Sequence, residues 1–255
     1  MRSIGKMEAL TRAGFAARGI MYVLIGFLAL RSGRTEDGAG AMRFLEGGLG
    51  TPLLLAMALG FLGYGLWRLS EAAIDSEGQG SGAKGMAIRT GGAASGLVHL
   101  ALAFIAAKLA LGDGGGGSGG AREGAAAALD LPGGWLLMAA LAAALAAVGA
   151  YQLVKALKAE FLRTLDSGAA SRSWVLWLGR AGYAARGIVF LVMAWFFWNS
   201  AMEARASEAG GMGEALGSLP GDIRTAVAVG LLLFGLFSFV EARYRRIRDP
   251  RAANG

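Results

Sequence analysis

Arg12-Ala13-Gly14-Phe15-Ala16-Ala17-Arg18-Gly19 recurs as Arg89-Thr90-Gly91-Gly92-Ala93-Ala94-Ser95-Gly96 and again as Arg180-Ala181-Gly182-Tyr183-Ala184-Ala185-Arg186-Gly187. Each copy opens a long apolar run. A second phrase closes another apolar run later in each unit: Gly65-Leu66-Trp67-Arg68-Leu69-Ser70-Glu71-Ala72, Gly149-Ala150-Tyr151-Gln152-Leu153-Val154-Lys155-Ala156 and Gly235-Leu236-Phe237-Ser238-Phe239-Val240-Glu241-Ala242. Self-similarity of this kind marks one supersecondary unit used several times. The chain is therefore read as three helical hairpins, over residues 1–80, 81–165 and 166–255.

Hydropathy places the hairpins in a membrane. Of 255 residues, 55% are hydrophobic and 17% charged, a balance outside that of a soluble domain. The apolar runs Ala13–Leu30, Pro52–Leu69, Gly91–Leu111, Gly133–Val154, Gly182–Ser200 and Ile223–Val240 each approach the roughly 20 residues that a helix needs to cross about 30 Å of hydrocarbon. They are continuous and rich in Ala and Leu, without the two-residue alternation of a barrel strand. The predicted fold is an all-α integral membrane protein: six transmembrane helices as three tandem, parallel hairpin repeats about a pseudo-threefold axis along the membrane normal. Ala39–Leu45, Ala121–Leu129 and Met212–Leu219 read as short interfacial helices ahead of Pro52, Pro132 and Pro220. Asp113–Gly120 reads as a flexible glycine-rich linker. A third copy of the opening phrase lies mid-chain, so the first copy is expected to belong to the fold and not to a cleaved signal.

Of the 25 Lys and Arg residues, 18 fall on the side of the termini and of the 70–90 and 155–180 connections, and 7 on the other. The positive-inside rule then puts both termini in the cytoplasm. On this reading the net charge of +7 sets orientation and is no nucleic-acid signal. All six tryptophans lie at or near span ends, the headgroup level that suits an indole. One histidine and no cysteine leave no disulfide, cysteine nucleophile or histidine-based metal site.

With both phrases in view, the chain resembles a bacterial family of triplicated two-helix membrane proteins, the domain-of-unknown-function family 1206. The resemblance rests on the Arg-Ala-Gly-aromatic-Ala-Ala-Arg-Gly opening of repeats one and three and on the Gly…Ala closing phrase of all three. It implies a six-helix fold and the bacterial cytoplasmic (inner) membrane, and no activity. The middle repeat departs from the pattern at Gly92 and Ser95.

The candidate residues lie on one helical face. At 100° per residue, positions 12, 15, 18, 19 and 22 share an arc of about 120°. Arg12, Arg89 and Arg180 recur in every copy and are expected to anchor topology or to form a ring able to hold an anionic headgroup. Arg18 and Arg186 lie inside their apolar runs, near the cytoplasmic end. Glu71, Lys155 and Glu241 close the return helices, and where Ser95 replaces the arginine, Lys155 replaces the glutamate. That joint exchange predicts ion pairs within repeats, Arg18 with Glu71 and Arg186 with Glu241, because an unpartnered intramembrane charge is costly; snorkelling to phosphates is the alternative. His99 is one turn from Ser95 and is read as a packing residue or as a proton relay. A gap walled by Ser95, His99, Tyr151 and Gln152 is the expected consequence of the small residues in repeat two, unless they only bring helices together.

No paired acids, metal set or activated nucleophile is visible, so no catalytic residue, cofactor or metal is assigned and an enzyme is not expected. The sequence favours a non-enzymatic scaffold or accessory membrane protein. The alternative is a small-solute, anion or lipid-headgroup binding transporter or channel-like protein that uses the arginines and the repeat-two gap. Membrane lipids, including anionic headgroups at the cytoplasmic face, are the expected partners; a protein partner is left open.

Overall fold

A computed structural model describes residues 2–48, 50–75, 78–113 and 120–246. The expected linker falls largely on 114–119 and the basic residues Arg248 and Arg251 beyond 246, outside the described residues. Ten α-helices are described: α1 (Arg2–Ser32), α2 (Gly38–Arg43), α3 (Gly50–Ile74), α4 (Ala83–Ala110), α5 (Gly120–Leu129), α6 (Gly134–Lys158), α7 (Ser167–Ala170), α8 (Ser173–Glu203), α9 (Met212–Gly217) and α10 (Gly221–Tyr244). α1, α3, α4, α6, α8 and α10 are long and apolar enough to cross a membrane. The three stretches read as interfacial helices correspond to α2, α5 and α9. The long helices outrun their apolar stretches because the polar ends remain helical: α8 starts nine residues before Gly182.

The six long helices follow one another in space as α4, α3, α1, α10, α8 and α6. The start of α1, the end of α10, the end of α3 with the start of α4, and the α6–α8 connection share one end, the near end; α2, α5 and α9 occupy the far end. Hairpins one and three are closed by α1 against α3 and α8 against α10, and the repeats join through α3 with α4, α6 with α8 and α10 with α1. α4 and α6, the two helices of the middle hairpin, form no packed interface. The ring is thus interrupted inside repeat two. Only 22% of the most apolar stretch is buried in α4 and in α6, against 39–56% in the other four long helices.

Glycines explain the two repeated phrases. Gly19 meets Gly235, Gly96 meets Gly65 and Gly187 meets Gly149, so closely that a Cβ on any of the six would lie within 3.0 Å of the partner's carbonyl oxygen. The last glycine of each opening phrase therefore seats on the first glycine of the preceding repeat's closing phrase, an approach that only small residues permit. The first glycine of the phrase serves the hairpin itself: Gly14 abuts Tyr64 and Gly182 abuts Phe234. Its counterpart Gly91 faces open space, because α6 is not there to meet it.

The axis is packed. Ile25, Phe61, Leu231, Phe234 and Phe237 are wholly buried in one continuous core, to which α6 adds only Ala156. The near end is closed by the α6–α8 connection. There the 3-10 turn Glu160–Thr164 buries Phe161, stacked on Tyr183 at 5.3 Å and edge-on to Phe237 at 5.0 Å. Leu165 pairs with Arg245 in an isolated bridge, with the Asp166 amide donating to the Tyr244 carbonyl. At the same end Asp75, just past α3, has φ +51° and accepts from the amides of Gln79 and Gly80 at 2.6 and 2.7 Å. The Gly80 bond, then the Gln79 bond, hold this exposed carboxyl below its usual value.

A cationic interface as candidate functional site

The first arginine of each phrase caps a helix of its neighbour. Arg12 donates to the carbonyls of Ala242 and Arg243 at 2.8 Å, Arg89 to those of Ala72 and Ala73 at 2.8 and 3.0 Å, and Arg180 to that of Leu157 at 3.4 Å. The last carbonyls of a helix have no intrahelical donor and carry its negative dipole end. Arg12 thus terminates α10, Arg89 terminates α3 and Arg180 terminates α6. The recurrence of these arginines is explained by three equivalent C-terminal caps; Arg12 also pairs with Glu8 at 2.7 Å, and the donors are spent on these partners and not gathered into an anion-holding ring.

The second arginine position differs at each junction. At the junction of repeats three and one, Arg18 is 7% exposed and forms an ion pair with Glu241. It also donates to Ser238 Oγ at 3.1 Å and Tyr64 Oη at 3.2 Å. The other carboxylate oxygen of Glu241 accepts from Arg245 at 3.1 Å. The pairing expected within repeats is therefore corrected: Arg18 meets Glu241 and not Glu71, because its face of α1 packs on α10.

At the junction of repeats one and two the same chemistry is built from the opposite helix. Ser95 stands where Arg18 stood, Arg68 stands where Ser238 stood, and Arg68 pairs along α3 with the buried Glu71 at 3.3 Å. A Cβ on Gly92 would lie 3.3 Å from both Arg68 Nη2 and Glu71 Oε2. The small residues of repeat two thus make room for the Arg68–Glu71 pair on the α3 side of α4.

At the junction of repeats two and three the exchange is uncompensated. Arg186 keeps the arginine, while the preceding closing phrase offers Gln152 and Lys155 in place of Ser238 and Glu241. Among the described residues Arg186 makes no ion pair, and its buried Nε has no hydrogen-bond partner. Its guanidinium lies over Phe234 at 4.5 Å, Tyr22 at 5.2 Å and Phe190 at 5.3 Å. Lys155 donates to Tyr183 Oη at 3.3 Å and lies 4.6 Å from that ring. Arg186 does not reach the expected Glu241, whose two oxygens serve Arg18 and Arg245.

Arg186 is also deeper than its apolar run implied. It is nine residues from each of the exposed Trp177 and Trp195, so its Cα lies about 13 Å along the helix from either indole. Exposed indoles mark the headgroup level, which sets the Arg186 backbone at mid-span and not near one end. Helical side chains lean toward the N-terminus, and this carries the guanidinium toward the near end.

The remaining candidates divide. His99 and Gln152 are buried, Ser95 is half-buried and Tyr151 is exposed, so Tyr151 walls no interior space. His99 Nδ1 lies 2.7 Å from the Ser95 carbonyl, its ring lies 4.4 Å from that of Tyr64, and Arg18, Arg68 and Arg186 are within its electrostatic reach. Sequence reasoning left out Arg68, Ser238, Tyr64, Tyr183 and Arg245. The first two were legible: the Ser95/Arg18 exchange is mirrored by the Arg68/Ser238 exchange in the preceding closing phrase, a signature of contact between repeats.

The family model described as Domain of Unknown Function (DUF1206) matches residues 13–75, 90–159 and 181–245, one match per hairpin. The chain belongs to this family. Each DUF1206 match starts one residue after the first arginine of the opening phrase and ends beyond the closing phrase, so the matched unit carries the second arginine position and the closing-phrase residues of the junctions described above. The chain is similar to the uncharacterized protein YxxB of Bacillus subtilis (strain 168), with 28% identity over 249 residues that cover 92% of this chain and 90% of the relative. No solved structure matches.

Proposed function

We propose that this DUF1206 protein is a non-enzymatic, multi-pass protein of the bacterial cytoplasmic membrane, with both termini in the cytoplasm, that binds an anionic group between α6 and α8. The observation that carries this reading is the third junction, where Arg186 has no ion pair among the described residues and the preceding closing phrase holds Lys155 at the sequence position that Glu241 and Glu71 fill at the other two. Around the interior, Arg18, Arg68, Lys155, Arg186 and Arg245 accompany two carboxylates, Glu71 and Glu241. Stacking of a guanidinium on aromatic rings is worth about 0.5–2 kcal/mol, whereas desolvating an ion costs several kcal/mol after relaxation. Arg186 is half-buried with its Nε wholly enclosed, so part of that cost applies, and the aromatic contacts bring no opposite charge to the guanidinium. A neutral lysine would remove one charge and leave Arg186 protonated, since a guanidinium holds its proton. A carboxylate or phosphate supplied from outside completes the junction as the missing glutamate would.

The open seam between α4 and α6 supports access from the side, and the closed near end argues against a channel along the axis. A scaffold or accessory role is the second reading, supported by the packed axis.

The test is titration of the detergent-solubilised full chain with inorganic phosphate and, separately, with dioctanoyl phosphatidic acid. Binding is expected to weaken about tenfold or more in Arg186→Gln and Lys155→Glu, from loss of a charged hydrogen bond, and to be unchanged in the exposed Arg163→Gln. Preference for the phosphatidic acid identifies a lipid-borne group, and preference for phosphate a soluble anion. Absence of binding, or binding indifferent to both substitutions, rejects the anion site and leaves the scaffold reading.

A further inference from the structure

His99 has one committed ring nitrogen and one idle one. A carbonyl oxygen only accepts, so the 2.7 Å contact with the Ser95 carbonyl makes Nδ1 the donor. In the neutral ring Nε2 then carries a lone pair, and this atom is buried with no hydrogen-bond partner. A buried acceptor left unmatched is disfavoured unless a donor or a proton reaches it. Tyr64 of α3 lies 4.4 Å from the ring, and Arg18 of α1, Arg68 of α3 and Arg186 of α8 are within its electrostatic reach; Arg18 bonds to Tyr64 Oη and, like Arg186, lies over Phe234. Arg68 shares its charge with Glu71. α2, which also packs on α4, brings one charge, Arg43, at the far end.

We propose that His99 is the proton acceptor of the anion site, taking one proton at Nε2 when an anion occupies the junction beside Arg186. The inference rests on the anion-binding reading above. Before binding, burial away from water first, and the surrounding guanidinium groups second, oppose a positive charge on the imidazole; the anion acts on the second of these. A monovalent anion at Arg186 and Lys155 cancels one unit of that opposition, and the proton restores the charge that the anion removed. Linkage makes the effect reciprocal: a proton on His99 favours the anion by the factor by which the anion favours the proton. Anion and proton then enter the low-dielectric interior as a neutral pair, which avoids the penalty of adding net charge there. Nδ1 stays bonded to Ser95 throughout, so the ring need not reorient to take the proton.

The chain has a single histidine, so its ring nitrogens report without ambiguity. In full-length protein labelled with 15N-histidine in micelles, addition of inorganic phosphate or dioctanoyl phosphatidic acid is expected to move Nε2 from a lone-pair-type to a protonated shift, with Nδ1 little changed. Affinity for the same probe is expected to rise as pH falls, by up to about tenfold per pH unit for one linked proton. In His99→Gln the anion is expected to bind with that pH dependence lost. Binding in the wild-type protein with Nε2 unshifted overturns the proposal, and so does proton uptake in His99→Gln equal to that of the wild-type protein with sulfate, an anion that does not titrate in this range, as probe; that outcome would assign the proton to Lys155. Should His99→Gln fail to fold, the nitrogen shifts of the wild-type protein decide alone. Absence of binding of either probe sinks the anion site itself, an outcome separate from binding without protonation.

Discussion

Arg18 donates to Glu241 across 223 residues of sequence, and the pair sits where the first repeat closes on the third. Glu241 is 1% exposed and is shared with Arg245, so neither partner has water to fall back on. Arg18→Gln is expected to cost about 3–5 kcal/mol by stranding the carboxylate. Replacing Arg18 and Glu241 together by Leu is expected to cost less than the sum of the single changes, whereas Arg18 with Glu71 should show additive losses. Thermal or denaturant unfolding in detergent measures both cycles.

The third junction predicts the opposite sign. Lys155→Glu would restore at the third junction the residue type that pairs with arginine at the other two, and, if Arg186 reaches it, is expected to stabilise the protein by about 1.5–3 kcal/mol, the worth of a charged hydrogen bond; Glu241, within electrostatic reach of position 155, opposes the change. A raised unfolding temperature together with the lost anion affinity described above would show that stability is forgone at this interface for binding. A lowered temperature would mean that Arg186 has no use for a carboxylate there.

Glycine substitutions separate packed junctions from the open seam. Gly182→Ala and Gly187→Ala place a methyl against Phe234 and against the Gly149 carbonyl, and each is expected to destabilise by about 1–3 kcal/mol through overpacking. Gly91→Ala has nothing within 4 Å to meet. It is expected to be neutral or stabilising, by about 1 kcal/mol at most, from helix propensity. Equal losses at all three positions would show that α4 and α6 meet in the membrane.

Orientation is open to labelling. Ser167 at the near end and Ser207 at the far end are both exposed, and the chain has no native cysteine. Cysteine at 207 is expected to react with an impermeant maleimide applied to spheroplasts, and cysteine at 167 only after permeabilisation. The reverse pattern would overturn the cytoplasmic placement of the termini.

The helices and their hairpin order were legible in the sequence because hydropathy and the repeated phrases are local signals. The partner of Arg18 was not. Arg18 with Glu71, Ser95 with Lys155 and Arg186 with Glu241 vary together within a repeat, yet contact is made between repeats, and co-occurrence in one unit cannot tell the two arrangements apart. The roles of Arg12, Arg89 and Arg180 were missed for a similar reason. A basic residue near a helix start reads as a topology signal, while its actual work is on the carbonyl end of a helix from another repeat. The reason for the small residues of repeat two was not legible either: Gly92 gives room to Arg68 and Glu71 of the neighbouring hairpin, so side-chain volume lost in one unit was regained in another.

The interruption between α4 and α6 has a mechanical consequence. Since these two helices are not packed together, the chain segment between them is their main tie, and the helices fall into two trios, α4 with α3 and α1 and α6 with α8 and α10, held by α1 against α10. Severing the chain between α4 and α5 leaves the described helix interfaces in place. Residues 1–113 and 120–255, produced as separate polypeptides in one cell, are expected to find each other through Arg18 and Glu241 and through Gly19 and Gly235, and to co-purify as a two-chain protein. The boundary of the molecule's halves therefore lies in the middle of a repeat, although every visible seam in the sequence lies between repeats.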